Sequence, residues 1–186
     1  GRMAQLWTVP GGETYGVARR SVYRLDEGVW TEMPPTGSPQ DLLALWASGP
    51  NEIFASGDQG TVMHYDGTSW TKLTTGTTAT LQAVWGSSST DVYFVGADIN
   101  GSLVLHYDGD SFTMTRPGGR VLLAIHGRAP NDIYAVGEEG MIVRFDGARW
   151  TQENSGVTEH LQDVWASPDG NVYVGGENAL ILRGAP

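Results

Sequence analysis

Leu81-Gln82-Ala83-Val84-Trp85-Gly86-Ser87-Ser88-Ser89-Thr90-Asp91-Val92-Tyr93-Phe94-Val95-Gly96, continued by Leu103-Val104-Leu105-His106-Tyr107-Asp108-Gly109 and Phe112, decides the fold because it recurs, with changes, five times in the chain. A first marker, the aromatic or histidine that ends an apolar run, falls at Trp7, Trp46, Trp85, His126 and Trp165, at spacings of 39, 39, 41 and 39 residues. A second falls at Trp30, Trp70, Phe112 and Trp150. All seven tryptophans occupy one of these two slots.

Working outward from that phrase, each repeat holds four short apolar runs separated by Gly, Ser, Asp, Asn or Pro. Their length and their Val, Ile, Leu and Tyr content predict strands, including Asp41–Ser48, which taken alone would pass for a helical turn. We name the strands a (ending at Trp85), b (Val92–Val95), c (Leu103–Tyr107) and d (around Phe112). Strand b is apolar on both faces, Val92 and Phe94 on one and Tyr93 and Val95 on the other, so its sheet is expected to be covered on both sides. Four-stranded units of about 40 residues with two apolar faces are what propeller blades require. The expected fold is therefore all-β, a five-bladed β-propeller of four-stranded antiparallel blades. It would form a single domain over 1–186 with repeats near 3–41, 42–80, 81–121, 122–160 and 161–186. An incomplete piece of a larger propeller is the alternative. The fifth repeat stops after Arg183-Gly184-Ala185-Pro186, without a fourth strand or second aromatic. The last blade then has three strands, or Gly1–Gln5 folds across it, or the chain was cut. Its open edge could also accept a partner strand.

The turn from c to d reads Asp66-Gly67-Thr68-Ser69-Trp70, with equivalents from Asp26, Asp108 and Asp146. Asp-Gly between apolar strands signals a hairpin, since glycine accepts positive φ and aspartate bonds nearby N–H groups. With these turns the chain resembles bacterial propeller repeats of the Asp-box kind, found in sialidases and in Ycf48-like assembly factors. The resemblance covers nearly the whole chain as a repeat pattern. It implies the fold and a structural role for Asp26, Asp66, Asp108 and Asp146, and it implies no activity. Where the Asp-box carries Ser or Thr two residues before the Asp, this chain has Arg24, His64, His106 and Arg144.

Composition bounds the function. The net charge of −10 and pI near 4.6 disfavour nucleic acid as a partner. With no cysteine there is no disulfide or thiolate metal site, and no apolar run reaches the roughly 18 residues of a membrane span. Localisation stays open, a secreted or cell-surface bacterial setting being compatible with the sequence. No Ser–His–Asp order, Gly-x-Ser-x-Gly or phosphate loop is present, so the chain reads as no enzyme, with catalytic residues none and metal none.

Two polar sets recur once per repeat. Glu13, Glu52, Asp91, Asp132 and Asn171 precede strand b and are expected to make turn or cap contacts. A calcium-binding carboxylate ring is the other reading, for which the ordered Asp-rich loop is missing, so no cofactor is expected. Arg24, His64, His106, Arg144 and Arg183 end strand c and are expected to form a band of polar tips paired with nearby carboxylates. His126 is expected to be a packed ring, and His160 has no nameable partner in the sequence.

The b–c loops vary most, and in a propeller they share one face with the d–a connections. Arg19, Arg20, Asp58, Asp98, Asn100, Glu138, Glu139 and Glu177 are therefore the candidate ligand-binding residues, with solvated turns as the plain alternative. The repeat around Asp98-Ile99-Asn100 is three residues longer there than its neighbours. The expected function is a non-catalytic binding or scaffold module whose partner is a protein. The first alternative is a carbohydrate-binding lectin, which would need an exposed aromatic in each blade, whereas the aromatics here are expected in the core. The last alternative is a glycosidase-like enzyme built on two close carboxylates.

Overall fold

The computed structural model describes residues 3–9 and 12–184. The apolar runs form five antiparallel sheets whose strands follow chain order. The first holds β1 (Gln5–Thr8), β2 (Thr14–Ala18), β3 (Ser21–Asp26) and β4 (Val29–Glu32). The second holds β5 (Leu42–Gly49), β6 (Glu52–Gly57), β7 (Val62–Tyr65) and β8 (Trp70–Leu73). The third holds β9 (Thr80–Ser88), β10 (Asp91–Asp98), β11 (Gly101–Tyr107) and β12 (Phe112–Thr115). The fourth holds β13 (Leu122–Ala129), β14 (Asp132–Gly137), β15 (Ile142–Phe145) and β16 (Trp150–Glu153). The fifth has three described strands, β17 (Leu161–Ala166), β18 (Val172–Gly176) and β19 (Ile181–Gly184). This is a β-propeller architecture of five blades, the last with three strands among the described residues. Gln5 pairs with Val17 inside the first blade and does not cross to the fifth, while Gly1 and Arg2 lie outside the described residues.

The second, third and fourth blades are each buried on both faces by their neighbours. The leading face of the first blade (Tyr15, Val17, Val22) packs on the trailing face of the second (Leu45, Ile53, Ala55, Met63). The fourth and fifth meet the same way, Tyr134 and Val136 against Val164, Val172 and Val174. The inner strands β1, β5, β9, β13 and β17 follow one another around the axis in that order.

The first marker residue is the device that joins one blade to the next. Trp7 Nε1 donates to the Ala47 carbonyl at 3.0 Å, across the blade boundary. The Trp46 ring lies over Gly86 and the Trp85 ring over Gly127, so closely that a Cβ at either glycine would sit 2.8 or 2.6 Å from ring carbons. His126 takes the same slot with different chemistry. Its Nδ1 accepts from the Ala166 N–H at 3.2 Å, and its ring packs 6.2 Å from that of Trp85. The residues following the later markers, Ala47, Gly86, Gly127 and Ala166, are thus small for a packing reason, because a ring of the preceding blade meets each of them.

Trp165 departs from the expectation that the aromatics are spent on the core. It is 51% exposed, against 3% for Trp46 and 6% for Trp85, and it stacks only on Tyr173 of its own blade. The cause is positional: among the described residues β17 makes no contact with β1 comparable to those between the other neighbouring inner strands.

Candidate functional site

The two recurring polar sets meet each other. Strands b and c are antiparallel neighbours, and the base at the end of c lies cross-strand from the strand-b aromatic that follows the acidic residue. His64 Nε2 bonds the Glu52 carboxylate at 2.8 Å, and His106 Nε2 bonds Asp91 at 2.7 Å. Arg144 reaches Asp132 at 3.1 Å, and Arg183 donates to the Asn171 amide oxygen at 2.9 Å. Three of these bases also lie against their strand-b aromatics. The His106 and His64 rings stack on Tyr93 and Phe54 at 4.3 and 4.4 Å, and the Arg144 guanidinium sits 5.4 Å over Tyr134. In the first blade Arg24 turns instead to Asp26, and Glu13 accepts from the Tyr15 hydroxyl. Burial, followed by the contacts with Glu13, pushes the Tyr15 hydroxyl well above its usual range, and burial beside Asp91 does the same to Tyr93. The carboxylates are bound within their own blades, and they serve as struts between strand c and the turn before strand b.

The c–d turns are equally local. One Asp66 carboxylate oxygen accepts the Thr68 and Ser69 N–H groups, each at 2.8 Å, and Asp108 and Asp146 repeat the pattern. Those backbone bonds hold all three carboxyls below the usual carboxylate range. They sit at the end of the disc where the a–b turns lie, since Gly67 abuts Asn51 and Gly147 abuts Asn131.

The candidate b–c residues fall at the opposite end, in two constructions. Asp58, Glu138 and Glu177 each open a three-residue turn whose middle residue, Gln59, Glu139 or Asn178, has φ near 55°. Their N–H groups donate to Asp41, Val121 and His160 carbonyls of the adjoining d–a connection, which ties the two loop sets together. Asp58 also accepts from Thr80 Oγ1, and Glu139 pairs with Arg120 at 3.0 Å. The Glu139 N–H donates to His160 Nδ1 at 3.1 Å, a partner for His160 that sequence reasoning did not find. Arg19 has φ 54° in the turn between β2 and β3, and Arg20 pairs with Asp41 at 3.5 Å. The structure does not gather these residues around one point; they are spread over the rim of four blades.

The third blade is built differently. Its extra residues lengthen β10 and β11 into a hairpin in which Asp98 pairs with Gly101. Asp98 is clamped from two directions: its carboxylate accepts both terminal nitrogens of Arg116, at 2.6 and 3.0 Å, and the Asn100 N–H at 2.7 Å. The Arg116 guanidinium, then the Asn100 N–H, holds the Asp98 carboxyl below its ordinary range. The clamp fixes the tip, where Ile99 is 100% exposed. Beside it, between the second and third blades, lies a cleft of about 640 Å³. It is lined by the Thr74–Thr78 connection together with Gln59, Gly60, Lys72, Met114, Asp98 and Arg116. Of the sequence candidates, Asp98 lines this cleft. Lys72, Met114 and Arg116 were missed. Arg116 follows strand d before Pro117-Gly118-Gly119, a stretch without a motif, and only folding brings it to Asp98.

A second cavity, of about 730 Å³, lies on the axis and is lined by all five inner strands, with Gln5, Gln82, Gln162 and Asp163 among the polar groups and Trp7, His126 and Trp165 among the rings. Among the described residues no three of His, Asp and Glu converge as a metal site would need, and no helix is long and apolar enough to cross a membrane.

No family model matches the chain. In sequence it is similar to Immune protein Tsi7 of Pseudomonas aeruginosa, 39% identical over 61 residues, a stretch covering 33% of this chain and 20% of that protein. In structure it is similar to Ycf48 from Cyanidioschyzon merolae, with a TM-score of 0.72 and 15% identity over 94% of this chain and 64% of the other, which speaks to the propeller fold alone.

Proposed function

We propose that the chain is a non-catalytic module that binds a protein partner through the face carrying the b–c turns and d–a connections, centred on the Ile99 hairpin and the cleft beside it. The observation that carries this reading is the departure of the third blade from its own repeat. Where the second, fourth and fifth blades close with a three-residue turn, it projects a clamped hairpin that holds an isoleucine in solvent. A lone exposed apolar residue is ordinary. One held at the tip of a preorganised hairpin beside a cleft, with half-exposed Met114 close by, suits an anchor that binds without paying to order its loop. The rim adds Asp58, Glu138, Glu139 and Glu177 on a chain of net charge −10, which favours a partner with a basic border. The similarity to a protein named as an immune protein supports a protein partner over a small-molecule substrate. The Asp-Gly turns of the opposite face fit the structural role of an Asp-box.

The test is a photo-crosslinking amino acid placed at position 99 or, on the opposite face, at exposed position 148, in cells of the source organism. A single protein adduct formed at 99 and absent at 148, and lost on Arg116→Ala, is the expected result. Equal labelling at both positions, or none at 99, overturns the reading, and a glycan adduct or glycan-array hits at that face would replace it with the lectin.

A further inference from the structure

Two slots of the repeat are buried inside the arc of blades and open at its ends. The residue before the marker lies on each trailing face: Leu45 is fully buried and Val84, Ile125 and Val164 nearly so, yet Leu6 of the first blade is 54% exposed. The marker itself lies on each leading face, and Trp165 of the fifth blade stands half in solvent where Trp46 and Trp85 are covered. The exposure continues outward along both faces. Ile181 is 76% exposed on the fifth blade, in the register where Ile142 is half-buried, and Thr8 on the first is exposed where Ala47, Gly86, Gly127 and Ala166 are buried. Trp165 therefore has the geometry of a joint with no blade beyond it.

We propose that the gap between the fifth and first blades is a docking seat for further β-sheet of this same repeat class, at least one four-stranded antiparallel blade. The occupant is specified by the interfaces already formed. Against Trp165 it must present a trailing face with Gly or Ala in the slot after its own marker, because every ring that reaches forward lies over a residue no larger than alanine, at Ala47, Gly86 and Gly127. Its leading face must bring apolar side chains over Leu6 and leave room for the Thr8 side chain. The first blade cannot itself serve Trp165 on the same terms, since Thr8 carries a β-branched side chain in the small-residue slot. The apolar surface left open at both ends is the driving force, and the continuity of the blade-to-blade interface supplies the geometry. This inference does not depend on the binding face proposed above, which lies on the loops and not on the blade faces.

The experiment extends the full chain by repetition. Residues 1–184 are followed directly by a copy of 146–184 and then a copy of 146–153, which supplies a fourth strand for the fifth blade and a four-stranded sixth blade whose copy of Ala166 faces Trp165. Acrylamide quenching of Trp165 is read as the difference between each chain and its Trp165→Phe variant. The expected result is a severalfold drop in Trp165 accessibility in the extended chain, a higher melting temperature and a monomeric sedimentation profile. Changing the appended copy of Ala166 to Trp is expected to undo the protection. An appended segment that stays unfolded by circular dichroism, or that leaves Trp165 as accessible as before, overturns the proposal. It is also overturned if Trp165 is already shielded in the original chain: shielding lost on dilution would assign the face to a second copy, and shielding that persists would assign it to closure of the arc on itself.

Discussion

Trp85 and Trp165 hold the same place in the same repeat, and they differ only in what lies in front of them. Trp85 covers Gly127 of the next blade and is almost wholly buried, whereas Trp165 faces the gap and is half exposed. The pair shows that the marker tryptophan does not stabilise a blade by itself. It stabilises the seam between two blades, so its value depends on a neighbour the repeat does not contain. In a quasi-one-dimensional architecture the end units therefore carry the faces whose burial is unfinished.

The largest expected effect breaks the buried member of this pair. Trp85→Ala is expected to cost about 3–5 kcal/mol, by loss of the ring and the cavity it leaves, measured by denaturant unfolding. The same change at Trp165 is expected to cost about 1 kcal/mol, since half its surface is already in water. Equal losses at the two positions would mean that the fifth blade is covered in solution. Attacking the other side of the seam should also be costly. Gly127→Val places a branched side chain where the Trp85 ring lies, and overpacking of this kind is expected to cost about 1–3 kcal/mol. A neutral outcome would show that the ring can tilt away.

A smaller effect tests the seam in which imidazole replaces indole. Burial lowers the His126 pKa in the folded chain, with Asp163 acting weakly in the other direction. A depressed folded pKa means that the unfolded chain binds the proton more readily. The contribution of the neutral ring is therefore present above the unfolded value near 6.5 and is lost as pH falls through the lowered folded value. His126→Phe is expected to flatten that limb of the stability profile, and an unchanged slope would place the titration elsewhere. The smallest effect is expected at Asp98→Ala, which removes a single partly covered surface ion pair and should leave the melting temperature nearly unchanged. A large drop there would make the third-blade hairpin part of the core and not a presented element.

Much of the architecture was legible because it is periodic. The marker spacing, the doubly apolar strand b and the Asp-Gly turns each follow from local chemistry repeated at a fixed interval, and strand pairing follows from chain order in an up-and-down blade. The polar sets were legible singly. That His64 meets Glu52 and that Arg144 meets Asp132 required the register of strands b and c, which brings residues 12 apart in sequence within hydrogen-bond distance. The candidate face was read from loop position, but its centre was not. Arg116, Lys72 and Met114 lie on or just past the outer strands of two blades, and nothing in their spacing marks them as neighbours of Asp98.

By itself the sequence determined the repeating unit: four strands, two apolar faces, a forward-reaching ring and a small residue to receive it, all short-range consequences of side-chain size, β-propensity and turn chemistry. Only the tertiary structure decided which of those identical slots are filled. Burial is a property of a pair of faces, so the same residue type in the same slot becomes core at position 85 and surface at position 165, according to whether another blade stands against it.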